Sequence, residues 1–156
     1  MKLFIISLIT IFVAGCSISK YLTDEQTEKV FEHNIDLSKN KIRQRLILFA
    51  NEQFVSGKSV IQTDDDGLFA GNGIVTLKES TGLLGETLNI TKMELTFIVK
   101  YSDNNYRVKW VVKNLSNDDG SYAKNTWGYY AKDVKETLDR KDKELFKYLS
   151  SDKSDF

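Results

Sequence analysis

Two neighbouring segments of the chain alternate almost without error. Met93, Leu95, Phe97, Val99 and Tyr101 are separated by Glu94, Thr96, Ile98 and Lys100. After Asp103-Asn104-Asn105 the alternation resumes, with Tyr106, Val108, Trp110 and Val112 set against Arg107, Lys109, Val111 and Lys113. A period of two sends successive side chains to opposite faces of a strand, so the pattern predicts a long antiparallel hairpin with one apolar face and one mostly wet face. Residues 39–54 follow a different period. Ile42, Leu46, Phe49, Ala50 and Phe54 recur at helical spacing, with Ile47 and Leu48 widening the stripe, and predict an amphipathic helix. Asp36 or Ser38 is placed to cap it, and Gly57 to end the segment. A second helix is expected from about Tyr129 to Ser150. Tyr130, Val134, Leu138, Leu145 and Leu149 lie on one side, Glu136–Arg140 and Asp139–Lys143 make pairs four residues apart, and Lys143 and Lys147 sit toward the negative end of the helix dipole.

The weaker patterns fill in the rest. Residues 29–35 alternate, with Phe31, His33 and Ile35 on one face, and residues 60–63 have strand character. Asp64-Asp65-Asp66-Gly67 reads as a turn. A strand follows from Leu68 to Lys78, in which Gly71-Asn72-Gly73 marks a bulge or sharp bend. Ser80 to Glu86 and Asn114 to Asn125 read as loops. The order is strand, helix, four strands, helix. A curved antiparallel sheet with both helices on one face buries every apolar stripe, which makes residues 29–150 a single α+β domain followed by a frayed tail at 151–156.

Composition narrows the classes. The length of 156 residues fits one domain. Lys+Arg and Asp+Glu are equal at 22 each, so the chain lacks the basic field with which nucleic-acid binders collect phosphates, and no nucleic-acid partner is expected. The single cysteine precludes an intramolecular disulfide.

That cysteine belongs to the sharpest local signal. Residues 1–15 have the form of a signal peptide, with Lys2 as the positive start, an apolar run from Leu3 to Val13, and the small residues Ala14 and Gly15 before Cys16. The run is shorter than the roughly 20 apolar residues that span a bilayer. Val13-Ala14-Gly15-Cys16 resembles the lipobox of bacterial lipoproteins. The resemblance implies cleavage before Cys16, acylation of its thiol and of its new amine, and attachment to a membrane. Two or more acyl chains make a lasting anchor where one does not. The alternative, an ordinary secretory leader, leaves Cys16 as an exposed free thiol, which is awkward to export. Residues 16–28 then form the lipidated cysteine and its tether. Ser17 in place of aspartate resembles the outer-membrane default of enteric lipoproteins, which implies a domain facing the periplasm.

The segment from Ile35 to Leu77 carries a second resemblance. Leu37-Ser38-Lys39 at the helix start, Phe54 at its end, Lys58 to Gln62, the acidic turn Asp64 to Gly67, and Gly71 and Gly73 resemble a bacterial family of unknown function with a TBP-like fold, as does Asn105-Tyr106-Arg107 further on. The likeness spans about residues 29–115. The sequence departs from it where the family often has an early aromatic residue in the helix, since Ile42 or Leu46 stands there. The resemblance implies a TBP-like β-α-β4-α fold. It implies no activity, since a fold of that shape does not carry DNA binding with it.

Few residues invite chemistry. His33 is the one histidine, and a metal site needs several converging ligands. Asp64 to Asp66 lack the alternate oxygen ligands and distal glutamate of a calcium loop. Gly71-Asn72-Gly73 lacks the lysine and the following helix of a phosphate loop. Ser38, Ser56 and Ser59 have no base other than His33. No catalytic residue, cofactor or metal ligand is expected. Trp127 and Tyr129, in an aromatic segment before the last helix, read either as a staple for that helix or as an exposed patch for a partner. Arg107, Lys109 and Lys113 share the wet face of the hairpin, as solvated charges or as a site for an anionic envelope component. These features favour a non-catalytic envelope lipoprotein acting as a binding or adaptor module, with Trp127, Tyr129, Arg107 and Lys109 as candidate contacts to an envelope protein. The alternative is a carrier of a small apolar molecule held between sheet and helix against Tyr101, Tyr106 and Trp110.

Overall fold

The computed structural model describes residues 24–54, 61–81, 87–117, 119 and 130–151. Its elements are α1 (Asp24–Thr27), β1 (Glu28–Asn34), α2 (Lys39–Gln53), β2 (Ile61–Asp65), β3 (Leu68–Thr81), β4 (Thr87–Ser102), β5 (Asn105–Asn117) and α3 (Ala131–Ser150). The short α1 lies within the segment read from sequence as tether. The strands form one antiparallel sheet in the order β1-β5-β4-β3-β2. Both long helices contribute to a single core against one face.

The hairpin pattern holds residue by residue. Met93, Leu95, Phe97, Val99 and Tyr101 on β4 and Tyr106, Val108, Trp110 and Val112 on β5 are buried. From the helices come Ile42, Leu46, Phe49, Ala50 and Phe54, and Val134, Leu138, Leu145 and Leu149. Leu48, expected to widen the α2 stripe, is exposed instead.

Three segments run further as strand than their composition indicates. Asp64 and Asp65 belong to β2, so the turn shrinks to Asp66-Gly67, with Gly67 at φ 87° where only glycine is comfortable. Ser80 and Thr81 extend β3, and Asn114 to Asn117 extend β5. The β5 extension was hidden by a bulge. Register slips between Glu94 and Leu95, which face Asn114 and Val112 respectively, so Lys113 is the extra residue. The inward row therefore jumps from Val112 to Leu115, and a period of two loses the strand there.

On the β4 side Gly71 and Gly73 pair in register with Phe97 and Leu95, while on the β2 side the register slips at Gly71, where Gln62 is the extra residue between Ile61 and Thr63. Gly73 serves packing. A Cβ on Gly73 would fall inside the ring of Phe54, so the bare backbone is the seat on which the last residue of the α2 stripe rests.

Ser38 takes the N-cap position of α2, extended at φ −66° and ψ 152°, but its side chain makes no cap hydrogen bond. The Lys39 N–H donates to Oδ1 of Asp103, in the β4–β5 turn, at 2.7 Å. The same turn is stitched to the β1–α2 connection by Ile35 N–H to Asn104 O at 3.0 Å and Asn104 N–H to Leu37 O at 2.9 Å. Asp64 receives a two-pronged contact from Arg43 at 2.7 and 2.8 Å, and Asp66 pairs with Lys39 at 2.7 Å. The acidic turn thus grips α2. At the far end of α3, Arg45 donates to the carbonyl of Leu149. Of the spaced pairs expected on α3, Glu136 is met by Lys132, Arg140 by Glu144, and Asp139 by Lys29 of β1.

Three substitutions test these points. Gly73→Ala is expected to displace Phe54 and cost about 1–3 kcal/mol, as overpacking of a filled core does, read as a lower midpoint in urea. Asp103→Ala is expected to cost about 1 kcal/mol, the usual loss of a helix cap, while Ser38→Ala leaves the midpoint unchanged.

Candidate functional site

Both long helices pack on one face of the sheet, and among the described residues no helix covers the second face. Arg107 and Lys109 stand on it, and each is matched by a carboxylate on β1: Arg107 Nε lies 3.3 Å from Glu32, and Lys109 Nζ 2.6 Å from Glu28. Exposed pairs of this kind contribute roughly 0–1 kcal/mol, so they order the face more than they stabilise it. Val30 is exposed between Glu28 and Glu32, and Ile74 is exposed further across the face on β3. At one end of the face, Glu32, Lys100, Tyr101, Ser102, Asn105, Arg107 and Gly67 line an open depression of about 330 Å³. Cys16, Trp127 and Tyr129 lie outside the described residues.

The most unusual chemistry sits on the covered face, where β1 meets α3. His33 Nε2 is 3.0 Å from both carboxylate oxygens of Asp142. The imidazole is enclosed by rings: Tyr106 stacks on it at 5.0 Å, Phe146 lies tilted at 5.0 Å, and Phe31 stacks at 6.4 Å. One turn earlier on α3, Asp139 pairs with Lys29, whose ammonium also lies 5.1 Å above the Phe31 ring. Beside this cluster, Lys141 is buried, held by Glu144 at 2.6 Å and set 5.6 Å from the Phe54 ring.

Burial raises the Asp142 carboxyl above its ordinary range. Its hydrogen bond and attraction to His33 pull the other way without cancelling the effect. The Tyr106 phenol is driven up more strongly, by burial first and by the Asp142 charge second. Tyr106 Oη and Trp110 Nε1 are both buried and have no hydrogen-bond partner among the described residues. The cluster can hold and orient a cation or a hydrogen-bond donor against α3. A His–Asp pair also resembles half of a catalytic relay, but no nucleophile is placed beside it in the contacts described.

The sequence carried a signal for Asp142 that spacing alone can read. The α3 stripe steps from Leu138 to Leu145, and the missing inward position between them is 142, four residues after one and three before the other. A carboxylate there requires a partner, and the chain's one histidine lies on the inward row of β1. Among the described residues no group of three or more His, Cys, Asp or Glu could hold a metal ion, and no described helix is long and apolar enough to cross a membrane.

No family model matches the sequence, and no curated protein matches it. Solved structures do. A DUF4468 family protein from Bacteroides ovatus superposes with a TM-score of 0.59 at 14% identity, covering 88% of this chain and 95% of that one. A TBP-like protein from Parabacteroides distasonis superposes with a TM-score of 0.55 at 12% identity, covering 82% of this chain and 96% of that one. The fold is TBP-like. At these identities the likeness concerns the fold; the antiparallel sheet with helices on one face is what the hydrophobic pattern predicts, and its TBP-like shape is what the family resemblance implies.

Asp142 gives a pH test. Its carboxyl pKa is raised in the fold, so it contributes stability that is complete below the unfolded value of about 4 and is lost as pH rises through the folded value. Asn cannot ionise. The melting temperature of Asp142→Asn relative to the native chain is therefore expected to rise as pH increases from about 3 to about 6. A difference that stays flat across that range contradicts the assignment.

Proposed function

We propose that the chain is a lipid-anchored protein of the bacterial envelope, cleaved before Cys16, acylated there, and carrying its TBP-like domain as a non-catalytic binding or adaptor module. The observation that carries this reading is Val13-Ala14-Gly15-Cys16 at the end of a charged-then-apolar leader. The proposed location is the outer membrane, facing the periplasm, on the strength of Ser17. The uncovered sheet face supports a binding role, since it displays ordered charges at Arg107, Lys109, Glu28 and Glu32 together with exposed Val30 and Ile74. Trp127 and Tyr129 are proposed as further contacts to a protein partner.

The alternative of an apolar carrier gains no support from the aromatic face. Tyr106 and Trp110 are fully buried beneath the protein's own side chains, and Phe97 packs on Trp110 at 5.4 Å. A guest would have to displace them.

Two measurements test the proposal. Cells expressing the chain and fed a palmitate analogue are expected to label it, and Cys16→Ala is expected to abolish the label; label that survives the substitution, or none at all, defeats the anchor. Crosslinking in the native envelope followed by pull-down is expected to recover a specific protein, and recovery of none defeats the adaptor role.

A further inference from the structure

One outward row of side chains crosses the end of the sheet from β2 to β1: Asp65, Leu68, Lys100, Arg107 and Glu32. Lys100 and Arg107 are direct partners in that row, and both are exposed. Like charges opposed across a ladder repel and weaken the pairing. The chain does little to relieve them. Lys109, one row along, meets Glu28 at 2.6 Å. Arg107 Nε reaches Glu32 only at 3.3 Å, beyond the roughly 2.7–2.9 Å of a strong charge-assisted bond. Lys100 has Leu68 as its other neighbour, and its ammonium makes no ion pair or hydrogen bond among the described residues.

The remaining acidic side chains at this end are engaged elsewhere or stand apart. Asp66 and Asp103 are taken by Lys39, and Asp64 by Arg43, both on α2. Asp65 closes the row on β2, two strands away from Lys100. Lys100, Arg107 and Glu32 together line the open depression of about 330 Å³. Ser102 and Asn105, paired across the ladder, stand in the same lining. The Asn105 amide donates to Asn34 at 3.1 Å, whereas the Ser102 hydroxyl has no hydrogen-bond partner among the described residues. A local rule broken at a surface hollow, with no compensation inside the chain, is where a ligand is expected to supply it. A guanidinium, an ammonium and a hydroxyl on one side of a hollow match a tetrahedral oxyanion. A carboxylate repeats what Glu32 already provides. A phosphate monoester carries close to two negative charges at neutral pH, enough to answer both cations.

We propose that this depression is a phosphate-binding site, with Lys100 and Arg107 as its cations and Ser102 as a neutral donor, and that its ligand is a phosphate monoester. Bound phosphate turns the opposed pair from a repulsion into a bridge between β4 and β5. Glu32 competes for Arg107, so binding is reversible. The site names a ligand for the binding-module reading and rests on it, without requiring the lipid anchor. A monoester has two sources, a soluble phosphorylated molecule or the headgroup of phosphatidic acid.

The test uses the full chain, first in neutral detergent micelles, titrated with glycerol phosphate while amide shifts are followed by NMR. Saturable shifts are expected at Ser102, Asn105 and Arg107, and none on α3. Lys100→Gln is expected to weaken binding about tenfold, the usual scale for one hydrogen bond to a charged group. Lys100→Glu is expected to abolish binding and to raise the midpoint in urea, because glutamate opposite Arg107 replaces repulsion by attraction. Loss of binding in that variant is then not loss of fold. Lys41→Gln, at an exposed position of α2, is expected to bind as the native chain does. The absence of saturable shifts, or shifts that survive Lys100→Glu, overturns the site. The chain is next placed in bilayer discs of phosphatidylcholine mixed equally with phosphatidylglycerol or with phosphatidic acid. Glycerol phosphate displaced only by phosphatidic acid identifies a headgroup, and equal binding in both discs identifies a soluble ligand. Displacement in both overturns the monoester. A protein recovered from the envelope by a chain that binds no phosphate removes this site and leaves the adaptor role intact.

Discussion

The ring of Phe54 rests on the bare backbone of Gly73, and most of the core is arranged around that contact. Phe54 is the last residue of the α2 stripe, so its seat fixes where the helix ends on the sheet. The ring stacks on Phe97 at 5.2 Å and meets Phe49 edge-on at 5.8 Å, and Lys141 brings α3 to the same ring. Two helices and two strands thus converge on one side chain and one missing side chain. Close packing makes such a point unforgiving, because neither partner has room to yield.

Away from that centre the means of attachment change. The central strands are held by apolar rows, and the edge strands add polar ties to the helices. β2 is tied to α2 through Arg43–Asp64 and, at its turn, Lys39–Asp66. β1 is tied to α3 through Lys29–Asp139 and His33–Asp142. An edge strand has one ladder and little core to share, so polar ties to the covering helix replace part of what burial supplies in the middle. The same charges discourage edge-to-edge association.

The fold was legible where a single period governs a segment. The β4–β5 hairpin, the α2 stripe and the apolar side of α3 could all be read from spacing. The pattern became unreadable where geometry departs from a fixed period or where a partner is distant. Lys113 hides the end of β5 because a bulge breaks the alternation. Asp103 caps α2 from another part of the chain, and no local rule chooses it over Ser38. Gly71 and Gly73 looked like backbone devices, although Gly73 answers to a side chain on the opposite element. The candidate cluster was half legible: the gap at 142 and the inward histidine at 33 are both visible in the sequence, but their meeting depends on β1 lying beside β5 under α3.

The stitch between Ile35, Leu37, Lys39 and the turn at Asp103-Asn104 bears on the route by which the chain assembles. The first turn of α2 takes a cap from Asp103, in a turn that exists only once β4 and β5 have paired. Closing the intervening stretch of chain carries an entropic cost, and a short helix without its cap is marginal in water. The first turn of α2 is therefore coupled to the hairpin by about the 1 kcal/mol that a helix cap contributes, and a change that loosens the β4–β5 turn is felt at a helix more than sixty residues earlier in the chain.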